Sequence, residues 1–302
     1  MASLKEIKSR INSINGTLKI TSAMKMVAAA KLHKVQNAIT TMLPYEQQLH
    51  DILSRLLSDS AENGTAIGCD EYITERPLHK MAIIAVASNS SLCGAFNSNA
   101  IRHFREIASG YIENGLSKDD LLVYPIGRKM AEAVSKAGFS PQGDFNTLAD
   151  KHLYREAADF AKELIDKYLK GEIDRIELVY NHYKSSASQV PMNETYLPFA
   201  LDRDGHGKDG EAGNGYLKNY IIEPDPGSVL KVLLPKVLVL KIFTMLLDAN
   251  AAEHAARTIA MQEASDNAQK LLQELKLQYN KQRQQAITDE LLDIVSGTMV
   301  NN

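Results

Sequence analysis

The chain has 302 residues, of which 44% are hydrophobic and 24% charged, and its formal net charge is -3 at pH 7. This composition is typical of a folded, water-soluble protein and excludes a long disordered chain or a membrane protein with many spans. The small negative charge excludes a global basic field that would bind nucleic acid. Two cysteines are too few for a disulfide framework, which favours a reducing, cytoplasmic compartment.

Residues 1–58 predict one long helix that packs along another helix. Apolar residues in its first part are spaced three and four apart, as in a coiled-coil seam: Leu4, Ile7, Ile11, Ile14 and Leu18. The seam then shifts phase to Ile20, Met24 and Val27. It continues past Asn15-Gly16 and Pro44, so we expect one helix kinked near Pro44; a break into two helices at Asn15-Gly16 is the alternative.

This first segment is also basic. Residues 1–34 contain seven Lys or Arg and a single acid, Glu6. Such an excess indicates either an acidic partner or a solvated helix face.

Residues 59–80 predict a linker, and residues 81–224 predict an α/β domain. The apolar runs MAIIAVAS, LLVYPIG and RIELVYNHY, and the segment 190–197, predict strands. Helical patterns separate the first three runs, one of them ending at Gly138 and another beginning near Asp150. Alternating strands and helices predict an open, Rossmann-like α/β sheet with helices on its faces.

Residues 225–302 predict a second long helix, because no glycine lies between Gly227 and Gly297. Its seam is predicted at Ala264, Ala268, Leu271 and Leu275. Lysines interrupt its most apolar run, so direct membrane insertion is not expected. Seventy helical residues would extend about 105 Å, which is longer than the α/β domain. We therefore expect the two terminal helices to bury their seams on each other as an antiparallel coiled coil.

Two features could carry chemistry. Residues 205–210 match G-x-G-x-x-G, but no strand precedes them and no helix follows, so a flexible surface loop is favoured over a dinucleotide site. Cys93, beside Gly94 at a strand-to-helix turn, is a candidate nucleophile, although no local pattern supplies a base. Neither metal-ligand spacing nor a P-loop occurs. The sequence therefore predicts no catalytic residue, no cofactor and no metal.

Four segments resemble the γ subunit family of F-type ATP synthases, and they follow in the family's order from one end of the chain to the other: LKEIKSRINSINGTLKITSAMKMVAAAKL, SLCGAFNSN, EPDPGSVLKVLLP and EHAARTIAMQEASDNAQKLLQELKLQYNKQRQQAITDELLDIVSG. The resemblance implies a non-catalytic rotor shaft that couples ion flow to conformational cycling of the catalytic β subunits. It implies four partners, namely the α and β subunits of the hexamer, the ε subunit and the membrane ring of c subunits. The absence of a transit peptide favours the cytoplasmic face of a bacterial inner membrane.

The resemblance also implies which residues contact partners. Met24 and Lys25 occupy the family's A-M-x-M segment, near acidic β residues. Asn280, Arg283 and Gln284 match its N-x-x-R-Q, whose side chains meet an acidic loop of a β subunit. Without the resemblance, these residues would be assigned to a solvated coiled-coil face.

Two departures from the family pattern concern the α/β domain. Ser-Asp-Arg/Lys-Gly of many members is replaced by Ser88–Ser91, which has no charge, and the loop 202–215 is long and glycine-rich. Contacts of this domain are therefore expected to differ from those of other members. Two other functions are kept open, an α/β enzyme that uses Cys93 with helices only for oligomerisation, and a coiled-coil scaffold without a mechanical role.

Overall fold

A computed structural model describes residues 3–62, 69–150, 153–199 and 222–300 of the chain. In this part the helices are α1 (Leu4–Glu62), α2 (Asp70–Ile73), α3 (Phe96–Glu113), α4 (Arg128–Lys136), α5 (Asn146–Asp150), α6 (Tyr154–Leu169) and α7 (Pro226–Val300). The strands are β1 (Met81–Val86), β2 (Leu121–Ile126), β3 (Arg175–Ser185) and β4 (Ser188–Leu197). The chain divides into two compact units. One consists of Met1–Ala30 together with Arg257–Asn302, and the other is Lys31–Ala256.

The two long helices predicted at the ends of the chain are confirmed as α1 and α7. α1 runs without interruption through Asn15-Gly16 and Pro44, so the alternative of two helices is wrong. Gly16 faces open space, and its cost of about 1 kcal/mol relative to Ala is small in a helix of this length. α7 begins at Pro226 and runs through Gly297 to Val300.

The four described strands form one mixed sheet in the order β2-β1-β3-β4. β1 lies in the centre and pairs in parallel with both β2 and β3. β4 pairs antiparallel with β3, because only two residues connect these strands and so short a link cannot form a parallel crossover. The predicted open sheet with helices on its faces is confirmed.

Alternate residues of β1 enter two separate cores, as the period of two in a strand requires. Met81, Ile83 and Ala85 face α3 and α4, where they pack with Phe104 and Met130. The opposite residues of β1 face a larger core built from α6 and from the parts of α1 and α7 that lie within Lys31–Ala256. Both faces are therefore covered, which explains why this strand is apolar throughout.

Polar contacts attach α7 to the β3-β4 hairpin. The Nδ1 atom of His182 lies 2.6 Å from Oδ2 of Asp248, whose other oxygen accepts the Tyr183 N–H at 3.0 Å. About two turns before Asp248 on α7, the Lys241 ammonium lies 2.5 Å from the Glu194 carboxylate. These pairs fix the side of α7 that meets the sheet.

The predicted domain boundaries after residues 58, 80 and 224 remain a prediction. They follow changes in sequence pattern, whereas the compact units follow packing and divide both α1 and α7. The predicted kink near Pro44 also remains a prediction.

Candidate partner-contact surface

Within the unit Met1–Ala30 with Arg257–Asn302, α1 and α7 pack antiparallel. The Ser265 hydroxyl lies 2.8 Å from the Thr21 hydroxyl, and the Lys25 ammonium donates to the side-chain oxygen of Gln262. Moving forward along α1 therefore means moving backward along α7. The predicted antiparallel coiled coil is confirmed in this unit.

Ile7 of the predicted seam is buried as expected, and Leu18, Ala268 and Leu275 are half-buried. At other positions the buried residue comes one place later than the sequence suggested. Leu271, predicted to be buried, is 50% exposed, whereas Leu272 is buried. On α1, Ile20 and Val27 are exposed, whereas Thr21 and Ala28 are buried. The apolar pattern failed here because small and polar residues occupy the seam, which leaves large apolar side chains on the outer surface.

Met24 and Lys25 are both half-buried at this helix pair. Lys25 already has an acceptor within the chain, and that acceptor, Gln262, in turn donates to Asp266 Oδ1 at 2.8 Å. A contact of Lys25 with an external acid would therefore add to this network or replace part of it. The predicted partner role of Met24 and Lys25 remains a prediction.

Asn280, Arg283 and Gln284 are exposed on α7. Arg283 has no hydrogen-bond or ion-pair partner among the residues that the structure describes, so its five guanidinium donors face outward. Farther along α7, five large apolar side chains are also exposed: Ile287, Leu291, Leu292, Ile294 and Val295. Large exposed apolar side chains that recur along one short segment indicate a surface that another protein covers.

Sequence reasoning missed the cross-helix partners Gln262, Ser265 and Thr21. Their signal was present, because Thr21 and Ser265 follow the heptad spacing of their neighbours while lacking apolar side chains. A search restricted to apolar periodicity passes over such positions.

Cys93 lacks the surroundings of a catalytic nucleophile. Its side chain is 1% exposed, and its sulfur accepts a hydrogen bond from the Asn97 amide at 3.2 Å. The other described neighbours of the sulfur are the Ser88 hydroxyl and the Ser90 carbonyl, each at 3.8 Å. None of these groups is a base that could activate a thiol, so the arrangement stabilises a turn.

The uncharged sequence Ser88–Ser91 is compensated by amide hydrogen bonds. Asn89 donates to the Asn146 carbonyl at 2.8 Å and to the Asp150 carboxylate at 2.6 Å, and it accepts the Arg128 N–H at 2.9 Å. This turn is thereby joined to α4 and α5 without an ion pair of its own.

A buried carboxylate, Glu177, lies under α3. Its Oε1 accepts hydrogen bonds from the Tyr111 hydroxyl and from Arg175, whose Nη2 and Nε lie 3.0 and 3.1 Å away. Glu177 is 1% exposed. Because the carboxylate is closed off from solvent and engaged by two neighbours, we assign this cluster to the attachment of α3 to the sheet.

The other chemical candidates give no site in the described part of the chain. The motif at 205–210 and the loop 202–215 lie outside the described residues. No group of three His, Cys, Asp or Glu side chains suited to a metal ion occurs among the residues that are described. Within the same residues, every helix is too short or too polar to cross a membrane.

Comparisons with known proteins cover the whole chain. A family model described as ATP synthase matches residues 3–299. The chain is 53% identical over 299 residues to the ATP synthase gamma chain of Phocaeicola vulgatus, which covers 99% of this chain and 100% of that protein. It is 41% identical over 304 residues to the ATP synthase gamma chain of Flavobacterium johnsoniae, with 100% of both chains covered.

Solved structures of ATP synthases contain chains with a similar fold. One of them is a chain in the cryo-EM structure of the Euglena gracilis mitochondrial ATP synthase that contains OSCP, F1 and the c-ring. The TM-score is 0.63, with 98% of this chain and 93% of that chain covered. The sequences are 19% identical, so this likeness concerns the fold alone.

Proposed function

This chain belongs to the ATP synthase gamma-chain family, and we propose that it is the central rotor shaft of an F-type ATP synthase. The observation that carries the proposal is the match to bacterial gamma chains over 99% of this chain. The antiparallel helix pair supports it, since α7 continues into apolar residues that remain exposed among the described residues.

In the proposed mechanism, this helix pair turns inside a ring of three α and three β subunits. Its surface differs on every side, because apolar residues such as Ile20 and Val27 lie on some faces and charged residues on others. Each β subunit therefore meets a different surface and adopts a different conformation. Ion flow through the membrane sector drives the turning, and the β subunits supply the catalytic nucleotide sites.

Arg283 and Gln284, with Asn280, contact an acidic loop of one β subunit at a time, and Met24 and Lys25 form a second contact. A guanidinium suits this role because its planar fork can donate two parallel hydrogen bonds to a carboxylate. Solvent-exposed ion pairs are worth only about 0–1 kcal/mol. Arg283 can therefore exchange partners as the shaft turns without locking it in place.

The α/β domain, residues 81–224, lies against the c-subunit ring and the ε subunit, at the cytoplasmic face of a bacterial inner membrane. The Euglena chain of the same fold comes from a complex described as containing the c-ring, and the matched relatives are bacterial. The chain binds no cofactor and is peripheral to the membrane. The absence of charge in Ser88–Ser91 changes the surface that this domain offers to its partners.

The chain itself is not an enzyme in this proposal. The alternative, an α/β enzyme that uses Cys93, is disfavoured by the burial of the sulfur and by its amide, hydroxyl and carbonyl neighbours. The relatives named gamma chains point to no separate reaction.

The test is ATP hydrolysis by purified α and β subunits, with and without this chain, beside the chain alone. We expect turnover to rise only in the mixture and to fall when α7 is cut back before Ala264. A variant with Cys93→Ser serves as the matched control and should stimulate like the parent chain. Activity of the chain alone, or a mixture no faster than α and β by themselves, would refute the rotor proposal.

A further inference from the structure

Two hydroxyl residues meet within the seam between α1 and α7. Thr21 of α1 and Ser265 of α7 are each 8% exposed, as buried as the apolar seam residues around them. Their oxygens lie 2.8 Å apart, and each hydroxyl also lies within hydrogen-bond distance of a carbonyl of its own helix, at Leu18 and Met261. Both hydroxyls are therefore satisfied in the present alignment of the helices.

A second polar pair repeats the same alignment one turn away. Lys25, four residues after Thr21, donates to Gln262, three residues before Ser265. Gln262 then donates to Asp266 at 2.8 Å. Two cross-helix links thus agree on one antiparallel register.

Apolar seams alone define register weakly, because a shift by one heptad brings similar apolar side chains back into contact. A buried polar residue in the seam reduces this ambiguity, because an alignment that places it opposite an apolar residue leaves it without a polar partner across the interface. A shift of one heptad toward the C-terminus of α7 would place Thr21 opposite Leu272, which is buried and apolar. The cross-helix hydrogen bond would then be lost.

We propose that Thr21 and Ser265 are positioning residues that lock the axial register of α1 against α7. This inference rests on the proposed rotor function for its purpose, because a shaft under torsion transmits torque only if its two helices do not slide along each other. The hydroxyl pair sets the alignment, and Lys25 with Gln262 reinforces it.

The test reads the register directly with engineered cysteine pairs in the full chain, assembled with α and β subunits. Leu18→Cys with Ala268→Cys reports the observed register, because these residues lie three positions before Thr21 and three after Ser265. Leu18→Cys with Leu275→Cys reports a shift of one heptad. Cys69 and Cys93 are each 1% exposed, so the chain without added cysteines is the background control.

Each reporter pair is combined with Thr21→Val and Ser265→Ala, which remove both hydroxyls. We expect the ratio of shifted to observed-register disulfide to rise about tenfold, since the alignment then depends on apolar contacts alone. Thr21→Ser with Ser265→Thr keeps both hydroxyls and should restore the parent ratio.

If the ratio of shifted to observed-register disulfide does not change in the chain without the two hydroxyls, Thr21 and Ser265 do not set the register, and the proposal is wrong. Loss of both cross-links would also contradict it, because the hydroxyls would then hold the helices together without selecting their alignment. ATP hydrolysis measured on the same assemblies separates the two proposals. If the chain without the hydroxyl substitutions fails to stimulate hydrolysis, the rotor proposal is wrong. If stimulation is normal but the disulfide ratio is unchanged, only the register proposal is wrong.

Discussion

The buried carboxylate of Glu177 gives the sharpest prediction about what holds the α/β domain together. Arg175→Met removes the cation that neutralises it and leaves a 1% exposed charge with only the Tyr111 hydroxyl as donor. Breaking a buried ion pair in this way costs about 3–5 kcal/mol. Arg175 is itself 36% exposed, so water weakens the pair, and we expect a loss of about 2–3 kcal/mol.

Substitutions of Tyr111 and Glu177 test whether this loss of stability comes from the buried carboxylate. Tyr111→Phe removes one hydrogen bond to a charged group and should cost about 1.5–3 kcal/mol. Adding Glu177→Gln to Arg175→Met removes the buried charge, so this double variant should regain at least half of the stability lost by Arg175→Met alone.

The assay is urea unfolding of the full chain, with the midpoint as the measured quantity. Arg102→Met is the matched control, because Arg102 pairs with Glu106 at 3.8 Å on the exposed face of α3 and should change stability by about 0.5 kcal/mol or less. If Arg175→Met is as harmless as this control, the Glu177 carboxylate does not depend on Arg175, and our account of the cluster is wrong.

Three further predictions concern function and pH. Arg283→Ala with Gln284→Ala should lower the stimulation of ATP hydrolysis by α and β subunits severalfold, whereas Lys281→Ala, also exposed on α7, should not; equal effects would contradict the contact. Cys93→Ser should leave stimulation within about twofold of the parent, because a hydroxyl can accept the Asn97 hydrogen bond in place of sulfur. Burial raises the pKa of Asp248 above its usual 3.8, against the His182 and Tyr183 hydrogen bonds that lower it. Because the folded protein binds a proton on Asp248 more tightly than the unfolded chain does, protonation of Asp248 stabilises the fold. This contribution to the free energy of unfolding is fully present below pH 3.8 and is lost as the pH rises through the folded-state pKa of Asp248. The urea midpoint of the unchanged chain, compared with that of Asp248→Asn, should therefore fall as the pH rises from 3.8 through the folded-state pKa. A difference between the two midpoints that stays constant with pH would contradict the raised pKa of Asp248.

The amino-acid sequence alone determined the main architecture. Short apolar runs bounded by polar residues predicted the strands, and the long glycine-poor segments predicted α1 and α7, because these signals depend only on local backbone preference and on which faces are apolar. Motifs at both ends predicted the family. Gly16 and Pro44 did not interrupt α1, since the seam on both sides of each residue favours one continuous helix.

Tertiary structure decided which residues meet. The apolar pattern placed Ile20 and Leu271 in the seam, but packing buries Thr21 and Leu272 in their place, because the rotation of each helix is set by its partner and not by its own most apolar stripe. The link of Lys25 to Gln262 joins residues more than 200 positions apart. Such contacts follow from the antiparallel register of two helices, and a register between distant segments is fixed only when both are folded against each other.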